Sequence, residues 1–162
     1  MYRDRTYFSL ILVFFTIFFG SCTGGTDFSK TPRDRLKDYV SKSFSVKHLT
    51  DRKGLMGYLT GDVKARLEGW SEDQFKEAFI DSNREFGRLS FKEVKVISPS
   101  EVQITYELSF VDQGRRYDNR KHQAKVTNKK LCQMVLEKDT WMIADVRNIK
   151  ELVEYQNELS LP

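Results

Sequence analysis

From Val102 to Phe110 the chain alternates strictly, with Val102, Ile104, Tyr106, Leu108 and Phe110 separated by Gln103, Thr105, Glu107 and Ser109. A period of two places all five apolar side chains on one face of an extended strand and the polar four on the other. Such a strand belongs in an antiparallel sheet with one face packed and one face wet.

Before Gly87 the period is different. Thr31 suits a helix cap and Pro32 the first turn, where a missing N–H costs nothing. Leu36, Tyr39, Val40 and Phe44 then recur at helical spacing. Residues 51–69 carry Leu55, Met56, Tyr58, Leu59, Val63 and Leu67, and Gly61-Asp62 splits the stretch into two short helices, the second ending at Gly69. Ser71-Glu72-Asp73-Gln74 has the pattern of a capping box, with Trp70 and Phe75 placed as a hydrophobic staple. Phe75, Ala78, Phe79, Ser82 and Phe86 follow on one face of a further helix.

After Gly87 come a strand over 89–97, a turn at Ser98-Pro99-Ser100 and the alternating strand. Asp112-Gln113-Gly114 reads as a turn or the start of a longer loop. Residues 120–138 alternate again, most clearly from Cys132 to Leu136, and Lys138-Asp139-Thr140 turns into a last strand, Trp141–Val146. Ile149, Leu152, Val153 and Gln156 have the spacing of a short closing helix. Helices first and strands second predict an α+β domain: N-terminal helices packed on a curved antiparallel sheet of about four strands, closed by a short C-terminal helix.

The first residues have another purpose. Arg3 and Arg5 precede an apolar run, Phe8–Phe19, and small Gly20 and Ser21 precede Cys22. The run is about a dozen residues, whereas a spanning helix needs roughly 20, so a secretory signal is the expectation. Phe19-Gly20-Ser21-Cys22 resembles the lipobox of bacterial lipoproteins, with Phe19 where an aliphatic residue is usual. That resemblance implies cleavage after Ser21 and acylation of the Cys22 thiol. Two or more acyl chains suffice for stable anchoring. It implies a place in the bacterial cell envelope, and Thr23, where Asp would mark inner-membrane retention, favours the outer membrane facing the periplasm. The expected organisation is a signal over 1–21, Cys22 with a flexible tether to residue 30, and one domain over 31–162. The tether reaches at most about 26–29 Å, which keeps the domain near the membrane.

A hydrophobic fraction of 40% is ample for a core, and a net charge of +4 falls short of the concentrated basic excess of a nucleic-acid binder. With Cys22 acylated, Cys132 is left unpaired, and its place in an alternating strand predicts a buried thiol. Two His and one available Cys offer no metal-ligand spacing, and no phosphate loop or nucleophile elbow is present. No cofactor, metal or catalytic residue is expected.

The order of elements, Tyr58-Leu59-Thr60-Gly61-Asp62-Val63 through Leu67 and the ending Leu136–Val146 with its turn and Trp strand, resembles the nuclear transport factor 2-like (cystatin-like) superfamily of cone-shaped α+β domains. The resemblance spans residues 31–150. It implies an interior that can form a pocket and a sheet through which members often dimerise, so a homodimer is one expectation. Members include enzymes, ligand binders and structural modules, so function must come from the site. Candidate pocket residues are Tyr58, Tyr106, Cys132 and Asp145. His122 lies in a basic stretch and His48 follows the first helix. Arg115, Arg116, Arg120, Lys121, Lys125, Lys129 and Lys130 form a candidate basic patch, suited to anionic headgroups or an acidic envelope protein. Three readings stay open: a non-enzymatic binding module, a pocket enzyme of isomerase or dehydratase type, and a structural accessory acting through residues 115–130.

Overall fold

The computed structural model describes residues 30–117 and 120–155. The expected signal segment, Cys22 and the expected tether up to residue 29 lie outside them. Among the described residues four α-helices precede a four-stranded antiparallel sheet: α1 (Pro32–Phe44), α2 (Asp51–Met56), α3 (Gly61–Gly69), α4 (Glu72–Phe75) and strands β1 (Arg84–Ser98), β2 (Glu101–Tyr117), β3 (Arg120–Glu137) and β4 (Thr140–Tyr155). The strands pair in sequence order, β1-β2-β3-β4. The architecture is α+β, as the change of period predicts.

Caps set the helix starts. Thr31 accepts from the Asp34 amide with Pro32 in the first turn, and Ser71 and Gln74 form a reciprocal capping box at α4, each satisfying amides that the helix itself cannot. Trp70 stacks toward Phe79, with ring centroids 6.1 Å apart. At the end of α3, the Arg52 guanidinium donates to the carbonyls of Leu67, Glu68 and Trp70. A cation thus sits at the negative end of the helix.

Inward-facing Val102, Ile104, Tyr106, Leu108 and Phe110 are all buried. They share one buried cluster with Val126, Cys132 and Met134 of β3, Ile143 of β4, and Leu36, Val40, Leu55, Leu59, Leu67 and Phe75 of the helical half. Arg35 ties the halves: its Nε donates to the Trp141 carbonyl (3.2 Å) and Nη2 to the Gly57 carbonyl (2.6 Å), while its guanidinium lies 4.1 Å from the Tyr58 ring centroid.

Three expectations are corrected. Ile149, Leu152 and Val153, expected in a short closing helix, lie in β4, which continues to Tyr155, and Gln156 lies outside the described residues. Ile149 is an extra residue between the pairs Lys130↔Asn148 and Lys129↔Lys150, and this bulge gives the apolar residues beyond it a spacing that mimics a helix. Asp112-Gln113-Gly114 does not reverse the chain: β2 runs through it with an irregularity between Asp112 and Arg115, Asp112 Oδ1 accepting from the Gly114 amide at 3.1 Å. The helix assigned to Phe75–Phe86 ends earlier, in a π-helical stretch at Lys76–Ile80. Phe86 instead sits in β1 opposite Phe110, its ring 5.5 Å from that of Phe44.

Candidate functional site

Between the helices and the inner face of the sheet lies a half-open cavity of about 420 Å³, within the range of small-molecule sites. The sheet contributes Tyr106, Leu108 and Phe110 of β2, Asn128 and Lys130 of β3, and Val146 of β4. The helical half contributes Tyr39, Val40, Ser43, Phe44, Leu59, Val63, Arg66 and Leu67, with Trp70, Phe79 and, from β1, Arg84 where the wall meets neighbouring depressions. Most of this wall is apolar.

Its polar groups are few. Asn128 is only 7% exposed, and its Oδ1 has no hydrogen-bond partner. Buried polar atoms are nearly always paired, so an orphaned one needs an account. The strand period explains how it arrives there: Asn128 and Lys130 share the parity of Cys132 and Met134 and therefore face inward. Lys130 stands opposite Tyr106 on β2 and Asn148 on β4. Burial pulls the Lys130 ammonium below its usual pKa and nearby Arg84 lowers it further, with Glu151 acting in the opposite sense. Burial pushes the Tyr39 phenol up to about 12, with Cys132 adding to the shift. It pushes Tyr106 up as well, with Cys132 and Tyr39 adding. Both phenols are therefore neutral hydrogen-bonding groups at ordinary pH.

Of the four candidate pocket residues, the structure brings Tyr106 to this cavity and places the other three elsewhere. Tyr58 packs beneath Arg35, its ring 6.0 Å from Tyr39. Cys132 is fully buried in the solid part of the core, where burial, and then Asp145, push its thiol up to about 12. Asp145 is ion-paired with Arg147 at 2.9 Å and Arg66 at 3.7 Å, beside a shallow depression it shares with Asp62 and Ala65. Asn128 and Lys130 were missed as interior groups. Counting back from Cys132 by twos finds both.

The basic segment divides. Backbone pairing puts Arg115 opposite His122 and Arg116 opposite Lys121, with Arg120 opposite Tyr117, at the far end of the β2–β3 hairpin. Lys125 and Lys129 point away from the cavity, Lys125 toward Glu154 at 3.7 Å, while Lys130 points inward. His48 lies before α2, where its amide and that of Lys47 donate to Asp51 Oδ2. Among the described residues no group of His, Cys, Asp and Glu side chains is placed to hold a metal ion, and no helix is long and apolar enough to cross a membrane.

No family model matches this chain, and no curated protein does. Among solved structures it is similar to an Ntf2-like, potential transfer protein TraM from the Gram-positive conjugative plasmid pIP501, at 11% identity and a TM-score of 0.38, over 76% of this chain and 93% of that one.

Proposed function

We propose that this chain is a lipid-anchored bacterial envelope protein whose α+β domain binds a small ligand between its helices and its sheet, without chemistry on it. The observation that carries this reading is the cavity of about 420 Å³, walled by aromatic and aliphatic side chains. An isomerase or dehydratase site needs a carboxylate or imidazole poised beside the reacting atom. Among the described residues the wall presents two phenols, a serine hydroxyl, an amide and three cations, and no Asp, Glu or His. That set can position and neutralise a ligand but offers no general base in its usual protonation state. Anchoring rests on the sequence, through the lipobox-like Phe19-Gly20-Ser21-Cys22. The outer membrane, facing the periplasm, is the proposed address.

The neutral dye Nile red tests the binding site. It should brighten on adding the Cys22→Ala chain and lose that response in a Leu108→Trp variant, whose added ring fills the cavity. An unchanged response in a folded Leu108→Trp protein would place binding elsewhere and sink the reading. Anchoring is tested separately: the wild-type chain should fractionate with membranes and carry acyl mass, and Cys22→Ala should do neither.

A further inference from the structure

The reading just proposed leaves the ligand's chemistry open, and the charges on the wall narrow it. Arg66, Arg84 and Lys130 line the cavity. Arg66 is compensated by Asp145 at 3.7 Å. Among the described residues, no carboxylate makes an ion pair with Arg84 or Lys130. Arg84 lies against the Phe110 ring, 5.6 Å from its centroid. Lys130 is turned into the interior beside Asn128, whose amide oxygen has no partner although the residue is 93% buried, being 7% exposed. Glu151, opposite Asn128 on β4, is exposed, and its charge partly compensates Lys130.

Leaving a partly desolvated cation only partly compensated is costly, as is leaving a buried amide oxygen unpaired. Both costs are offset by one kind of occupant. Resting on the binding-module reading, we propose that the cavity takes a soluble amphiphilic anion: an apolar body against Phe44, Leu67, Leu108 and Phe110, and one carboxylate or equivalent head held by Lys130 with Asn128 beside it. A head that is a carboxylic acid or carries a hydroxyl supplies the donor Asn128 Oδ1 needs, and a rotated Asn128 amide donates to a carboxylate. Charge-assisted hydrogen bonds are stronger than neutral ones. Arg84 raises the local concentration of anions at the entrance.

The test titrates the Cys22→Ala chain with monomeric dodecanoate, dodecanol and dodecylammonium, following tryptophan fluorescence, since Trp70 borders the cavity. Dodecanoate should bind about tenfold more tightly than dodecanol, the gain expected of one charge-assisted hydrogen bond, and dodecylammonium more weakly than either. Lys130→Met should bring the dodecanoate-to-dodecanol affinity ratio to about one, and Lys130→Arg should retain the preference. Arg84→Met offers a second charge deletion should Lys130→Met fold poorly, and it should narrow the preference for dodecanoate over dodecanol. Equal affinities for dodecanoate and dodecanol would overturn the anion while leaving the binding module standing. Binding of none of the three would remove both. A response to phosphatidylglycerol vesicles without one to monomeric dodecanoate would assign the anion to a membrane lipid and overturn the soluble ligand.

Discussion

Ile143 of β4 grips the chain on both sides of Leu59: its amide donates to the Tyr58 carbonyl and its carbonyl accepts from the Thr60 amide, each at 2.9 Å. The two residues form a one-pair parallel bridge, and both side chains are buried. This is where the helical half is stitched to the sheet, and Leu59 is itself part of the cavity wall. Ile143→Ala should destabilise the fold by about 2–4 kcal/mol, from lost burial and the void left behind. Arg35→Met, which removes two hydrogen bonds at the same junction, should cost about 2 kcal/mol. Urea denaturation of both variants checks the magnitudes. Losses under half a kilocalorie would show that the junction does not hold the halves together.

The β3–β4 turn runs through Lys138 and Asp139, both with positive φ, 47° and 62°, between the paired Glu137 and Thr140. Two successive left-handed residues are the signature of the hairpin turn that favours Asn-Gly. Asp139→Gly should therefore stabilise the protein by about 0.5–1 kcal/mol, and adding Lys138→Asn should increase the gain. A rise in melting temperature is the expected reading, and a fall would contradict the turn.

Gly87 carries a different constraint. A Cβ there would stand 2.9 Å from the Ser109 carbonyl oxygen, which is backbone and cannot swing aside. Gly87→Ala should cost about 1–3 kcal/mol. Since Gly87 adjoins Phe86, which faces Phe110, the variant should also disturb the tilt of Phe110 in the cavity wall, seen as a shift in its ring proton resonances.

Folding holds the Cys132 thiol protonated up to about pH 12, whereas in the unfolded chain it ionises near pH 8.5. Tyr39, likewise raised to about 12, and Tyr106, raised further, act in the same direction. In that window the folded state binds more protons than the unfolded one, so stability is full below about pH 8.5 and falls as pH rises toward 12. Denaturation at a series of alkaline pH values should show the decline, made shallower by Cys132→Ala. The folded protein should resist thiol reagents at pH 8, and rapid labelling would contradict the buried thiol.

Much of this architecture is readable in the residues because each local signal agrees with its neighbours. The run Val102–Phe110 alternates without interruption and its inward residues are buried. The Ser71–Gln74 box caps a helix as written. Errors fall where a bulge breaks the count. Ile149 shifts the phase of β4 and produces helical spacing, and Asp112-Gly114 carries turn chemistry inside a continuing strand. The cavity was less legible. Tyr106 carries a hydroxyl on an otherwise apolar strand face, whereas Lys130 joins Lys125 and Lys129 by charge although Lys129 and Lys130, adjacent in sequence, must face opposite ways. Which inward residues border open space rather than solid core depends on how far the helices stand from the sheet, and no local pattern encodes that distance.

Methyl-resolved NMR of the Cys22→Ala chain with dodecanoate tests the binding site most directly. The account predicts shifts and ligand contacts at the methyls of Val40, Leu67, Leu108 and Val146, which line the cavity. Val111, Leu131 and Val135, on the opposite face of the sheet, should stay unchanged. Contacts confined to those outer methyls, or none at the inner ones, would contradict a ligand held between the helices and the sheet.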